Sequence, residues 1–187
     1  MITIGQLASA LYGTWLLLKF DPRGLDHFEK TPGGFARSFI VAAMLAPLQL
    51  THAILVHDPA RARLALLPFV VVQMLNYVLA WVLFPFVMLY IADWLQRRER
   101  YFWHLVAYNW TQLAIAAPVL IFVVLSDLHL LPAKLVAFLQ LSVLVVFFTY
   151  QTFLARVALQ ISVLTAFGIV VLDWLMSQLL AQLVARI

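Results

Sequence analysis

The sequence predicts an all-α fold: a polytopic membrane bundle of five transmembrane helices with an N-terminal amphipathic interfacial helix. Three observations carry this. Of 187 residues, 65% are apolar and 11% charged, with a mean hydropathy of +1.00, whereas soluble domains are close to half apolar and a quarter charged. The charges leave five runs long enough for the roughly 20 apolar residues a spanning helix needs. Those runs are continuous rather than alternating, which favours helices over a barrel. The same composition excludes a soluble enzyme and a disordered chain. The absence of cysteine excludes disulfides and thiolate chemistry.

Residues 1–35 form the N-terminal interfacial helix and turn region. Ile4, Leu7, Ala8, Leu11, Trp15 and Leu18 recur at helical spacing, with Gln6, Ser9, Gly13 and Thr14 between them. Such a segment can lie in the membrane interface, and Tyr12 and Trp15 suit the headgroup level. A short packed helix is the plainer alternative. Residues 20–24 read as a turn, and Thr31-Pro32-Gly33-Gly34 as a second break. No basic n-region or cleavage site marks a signal peptide.

The five-helix transmembrane domain occupies 36–187. The charge-free runs are 38–56, 64–92, 101–126, 135–155 and 157–185, the last broken only by Asp173. They place spans near 36–56, 66–92, 104–125, 132–154 and 158–182. The connection between the last two contains no Gly or Pro, and Arg156 is its only charge. A single helix of about 50 residues would be some 75 Å long, so a tight turn is expected near Arg156, with its guanidinium at headgroups or helix-end carbonyls.

Lys19, Arg23, Lys30, Arg37, Arg97, Arg98, Arg100 and Arg156 fall on one side of this topology, and Arg61, Arg63, Lys134 and Arg186 on the other. The positive-inside rule then puts the N-terminus in the cytoplasm and the C-terminus in the periplasm of a bacterial inner membrane. Arginine outnumbers lysine nine to three, which suits a GC-rich bacterial genome. The pI of about 9.7 reflects loops facing anionic headgroups, not nucleic acid.

Asp173 is the most informative residue. An acid in a span is costly and usually faces protein or water. Ala158, Ser162, Ala166, Asp173 and Ser177 form a small-residue stripe if the last helix starts near 158, which turns Asp173 into the bundle. That start puts Asp173 roughly 22 Å along the helix, level with Gln49, Gln73 and Gln140, with Asn76 one turn from Gln73. Pro47, Pro85 and Pro118 interrupt the first three spans. Two readings compete: interhelical hydrogen bonding, at about 0.6 kcal/mol per contact, or a polar layer of the kind found at transport sites. The first is the commoner use of isolated polar residues. Tyr108, Asn109 and Gln112 form a second cluster at the cytoplasmic mouth, read as interfacial anchor and helix glue or as a recognition site; Trp103 and Trp110 fit an aromatic belt.

His52, His57 and His129, with Asp58 and Asp127, share the outer side but lack metal-ligand spacing. No nucleophile motif, paired intramembrane acids or phosphate loop is present. No catalytic residue, metal or cofactor is expected.

Asp21-Pro22-x-Gly24-Leu25-x-x-Phe28, Thr31-x-x-Gly34-Phe35-x-Arg37-Ser38-Phe39, Ala107-Tyr108-Asn109-Trp110 and Ala155-Arg156-x-Ala158-Leu159 together resemble a group of uncharacterised bacterial five-span membrane proteins, distantly Yip1-like. The Asp-Leu-Tyr-Gly-Pro signature of eukaryotic members is absent. The resemblance implies a five-span fold and a membrane-organising role, and it supplies no catalytic residue. The function expected is therefore non-enzymatic: an integral membrane protein acting by helix packing with lipid, itself or another membrane protein. The alternative is a small transporter or channel subunit using the polar layer around Asp173.

Overall fold

The computed structural model describes residues 3–57 and 64–185. Asp58, Arg61, Arg63 and Arg186 lie outside the described residues. Within them the chain is all-α, with seven α-helices and no strand: α1 Ile4–Leu18, α2 Pro32–Ser38, α3 Ile40–Leu55, α4 Leu66–Trp94, α5 Tyr101–Asp127, α6 Ala133–Leu159 and α7 Val163–Ala185. Five stretches are long and apolar enough to cross a membrane: Pro32–Leu55, Leu66–Trp94, Arg98–Asp127, Ala133–Leu159 and Val163–Val184. These fit a multi-pass integral membrane protein.

α1 is a docked helix. Thr3 caps it in a capping box with Gln6, and Ala10, Gly13, Thr14 and Leu17 form its buried face. The chain then reverses through a 3₁₀ turn, Pro22–His27, which Asp21 caps through Arg23. Two glycines let turn and helix touch: a Cβ on Gly24 would sit 2.5 Å from the Gly13 carbonyl oxygen and 2.8 Å from Leu17 Cγ. Leu11, Tyr12, Trp15 and Leu18 remain exposed on the outward face, the face an interfacial helix turns to lipid. Trp110 is not in an aromatic belt. It is buried, and it lines a pocket with Leu11, Thr14 and Trp15 of α1.

α2 and α3 form one nearly continuous span, stepped at Phe39. Ser38, just before the step, donates to the Phe35 carbonyl at 2.7 Å. Thr31 caps α2, and Pro32 stands in its first turn, where a missing N–H costs nothing.

The last connection differs from expectation. α6 runs on to Leu159 and α7 starts at Val163, so the turn lies at 160–162, and Arg156 is in the last turn of α6. Against the spans read as 132–154 and 158–182, the end of α6 and the start of α7 each lie five residues later. Gln160 takes the left-handed conformation, φ 54°. The Arg156 carbonyl accepts from the Gln160 N–H and, at 3.4 Å, from that of Ile161. Arg100, not Arg156, reaches a helix-end carbonyl, that of Ala158 at 3.4 Å. Phe20, Gln96 and His129 close α1, α4 and α5 with the same left-handed backbone. In each case the next residue's N–H reaches back five positions, to Leu16, Ala92 and Leu125, as in a Schellman ending.

These turns gather the basic loops at one end. Phe20 packs on Phe153 with ring centroids 5.0 Å apart, and Lys30 and Arg100 stack on Trp103 at 3.5 and 5.0 Å. The bundle is tight at this basic end and, apart from α3 with its buried Ala53, splayed at the other. On α4 the buried residues begin at Phe84 and on α6 at Tyr150; on α5 they stop at Thr111 and on α7 at Asp173.

Candidate functional site

Asp173 lies where the tight half gives way to the splayed half. Ala166, Ile169, Val170 and Asp173 are the buried residues of α7, spaced at three and four, and this face turns the carboxylate inward. The stripe inferred from sequence does this only in part, because Ala158 belongs to α6 and Ser162 precedes α7. With α7 starting at Val163, Asp173 is roughly 15 Å along it rather than 22.

Four helices line a cavity of about 320 Å³ around it: Leu45 and Gln49 from α3; Tyr77, Ala80 and Trp81 from α4; Tyr108, Gln112, Ala116, Val119 and Leu120 from α5; and Asp173 and Ser177 from α7. Tyr108 OH donates to Asp173 Oδ2 at 2.9 Å. The Tyr108 ring packs on Phe84, with centroids 4.7 Å apart, so its hydroxyl is held in place. Asp173 is only 6% exposed, and its second oxygen has no hydrogen-bond partner among the described residues. Tyr77 borders the same space, but its hydroxyl is used, donating to the Ala42 carbonyl at 2.6 Å and tying α4 to α3. The wall therefore offers one carboxylate, two primary amides, the Ser177 hydroxyl and two aromatic side chains besides Tyr108, against an otherwise apolar lining.

The two clusters read from sequence are thus partly one. Gln49, Tyr108 and Gln112 join Asp173 in a single cavity. Gln73, Asn76 and Gln140 do not line it. Gln73 is one turn from Tyr77 and half-buried, and Gln140 is exposed on α6, which contributes nothing to the cavity. Asn109 is fully buried, and its Nδ2 donates to Ser38 Oγ at 2.7 Å, joining α5 to α2. It acts as interhelical glue.

Apart from Asn109, the sequence carries no sign of a set of buried polar groups in the tight half. His104 Nδ1, Asn109 Oδ1, the Tyr150 hydroxyl, both side-chain polar atoms of Gln151 and Thr152 Oγ1 are buried with no hydrogen-bond partner among the described residues. Nothing in their spacing sets them apart from interfacial residues. At the splayed end His52 Nε2 lies 3.2 Å from Asp127 Oδ2, bridging α3 and α5. Among the described residues no group of three or more histidine and acidic side chains is placed to hold a metal ion.

In comparison with known proteins, no family model matches the chain, and neither a curated protein nor a solved structure matches it significantly.

Proposed function

We propose that this integral membrane protein is non-enzymatic and binds a small polar solute in the cavity around Asp173, as a small transporter or channel subunit. The observation that supports this is the nine-tenths-buried Asp173 carboxylate, with one oxygen on Tyr108 and the other unpartnered, lining a cavity shared by four helices. An acid used only to fasten helices has no reason to border such a space, because its burial in lipid is repaid only by partners. A carboxylate beside Gln49 and Gln112 suits a solute with positive charge or several N–H or O–H donors. The basic end faces the cytoplasm in this reading, following the positive-inside rule; a reporter after Arg98 then reads cytoplasmic and one at the C-terminus periplasmic.

Flux into liposomes tests the transport reading, with protons, monovalent cations and small amines as the panel. Wild type should exceed empty liposomes for at least one member, and Asp173→Asn should abolish that flux while the protein still elutes as a folded species. Flux at the empty-liposome level across the panel, or an undiminished Asp173→Asn flux, defeats it.

A second reading, packing against a partner or a second copy in keeping with the Yip1-like resemblance, is favoured by Gln140. Its amide is exposed on α6, roughly 10 Å in from the helix start, where lipid cannot hydrogen-bond it. The chain has no cysteine, so Gln140→Cys provides a single crosslinking site. Crosslinked dimers or adducts in native membranes support this reading, and their absence speaks against it.

A further inference from the structure

A groove at the basic end, remote from the Asp173 cavity, lies between α6 and α7. Phe20, Phe148, Thr149, Thr152, Phe153, Arg156, Val163 and Phe167 enclose about 360 Å³. We propose that this groove binds one anionic phospholipid, its phosphate on Arg156 and an acyl chain along Phe148 and Phe167.

The two ends of the groove differ in chemistry. Arg156 is exposed and makes no ion pair or hydrogen bond through its side chain among the described residues. Arg23, Arg37, Arg98 and Arg100, at the same end, each have a carboxylate, carbonyl or aromatic partner. Thr149, Thr152 and Arg156 follow at i, i+3 and i+7, so they form one face of α6. Thr149 and Arg156 are exposed on this face, with the Thr152 hydroxyl buried between them. A guanidinium with the exposed Thr149 hydroxyl two turns away is a donor set for a phosphate and an ester oxygen below it. Phe148 lies roughly 12 Å from Arg156 along the helix, towards the bilayer centre if the basic end is at the headgroups. There Phe148 packs on Phe167 of α7 with centroids 5.7 Å apart, and Phe20 on Phe153 at 5.0 Å. Polar at the surface and aromatic beneath it, the groove matches a phospholipid in both order and depth. Charge decides among headgroups. Arg156, the cation that lines the groove and forms no ion pair among the described residues, attracts a net negative headgroup and gains nothing from a choline or ethanolamine.

Purified full-length protein, in detergent with equal amounts of phosphatidylglycerol and phosphatidylcholine of identical chains, should retain one phosphatidylglycerol in native mass spectrometry. Preference over phosphatidylcholine should be about fivefold or more, the contribution of one basic side chain at a membrane surface. Arg156→Gln should bring the two lipids to parity, and Arg156→Lys should keep most of the preference. Arg98→Gln, at the same end but outside the groove, should leave it unchanged. Glycerol phosphate in excess should not displace the lipid, because it lacks the acyl chain. Equal retention of both lipids by wild type, an equal loss in Arg98→Gln, or displacement by glycerol phosphate overturns the proposal. Should Arg156→Gln fail to fold, the wild-type ratio and Thr149→Val, expected to weaken retention, carry the same decision.

Discussion

The two halves of α5 show how differently the two ends of this bundle are built. From Tyr101 to Thr111 eight residues are buried; from Gln112 to Asp127 none is. The first half is packed by α1, α2 and α6, the start of α3 and the end of α4, and the second faces the Asp173 cavity and the splayed ends of the other helices. The difference follows from what holds helices together in lipid. No hydrophobic force draws apolar faces to one another there, so close approach depends on small residues and specific hydrogen bonds. The basic end has both: Ala92, Ala107, Ala155, Ala158 and Ala166 at the contacts, and Asn109 on Ser38. The other end presents Leu75, Val78, Leu141, Val145 and Leu179, all exposed. An unfilled space at the boundary is the natural product of this change, and Asp173 lines it.

The largest expected effect compares matched truncations on one helix. Leu154 is fully buried in the tight half of α6 and Leu144 is 38% exposed in the splayed half. Leu154→Ala should cost roughly 2 kcal/mol or more through its cavity and lost contacts, and Leu144→Ala a small fraction of that. Reversible unfolding by SDS titration in mixed micelles checks both; equal losses would remove the distinction between the halves.

Docking of the N-terminal cap gives the next effect. A valine at position 24 pushes carbon onto the Gly13 carbonyl and Leu17, which should cost about 1–3 kcal/mol as overpacking. Limited proteolysis should then release α1 before the bundle is cut. A wild-type digestion pattern for Gly24→Val would mean that α1 contributes nothing to the tight half.

A smaller effect of opposite sign is expected at Gln160. Its left-handed backbone costs a side-chain-bearing residue roughly 1 kcal/mol that glycine avoids. Gln160→Gly should therefore raise the midpoint of the same unfolding transition modestly. A lower midpoint would show that the Gln160 side chain, and not the backbone, sets the turn.

The smallest effect is electrostatic. Hydrogen bonds from Arg37, then Thr31, hold the Glu29 carboxyl below its ordinary pKa. A carboxyl whose folded pKa is depressed stabilises the fold above its unfolded pKa, near 4.3, and loses that stabilisation as pH falls through the folded value. Cap docking should weaken below about pH 4 and Glu29→Gln should flatten this dependence, as read from α1 proteolysis against pH. Indifference of wild type to pH in that window would mean the pair is fully screened.

Five spans, an all-α bundle, an inward Asp173 and a separate N-terminal helix were legible in the sequence, because charge spacing, hydropathy and the cost of an acid in lipid are local properties of the chain. Helix ends were less so. Phe20, Gln96, His129 and Gln160 adopt a conformation usually left to glycine, and backbone hydrogen bonds that only the folded turn provides hold them there. No Gly or Pro marks the stop before Val163, so turn residues alone displace the last turn and overestimate the depth of Asp173. Which polar residues meet was decided by tertiary structure alone. Gln49 and Gln112 reach the cavity and Gln73, Asn76 and Gln140 do not, because facing depends on how four helices rotate and splay about one another. That rotation is set by contacts such as Gly24 on Gly13, Tyr77 on Ala42 and Asn109 on Ser38, which join residues 11, 35 and 71 positions apart and leave no periodicity along the chain to read.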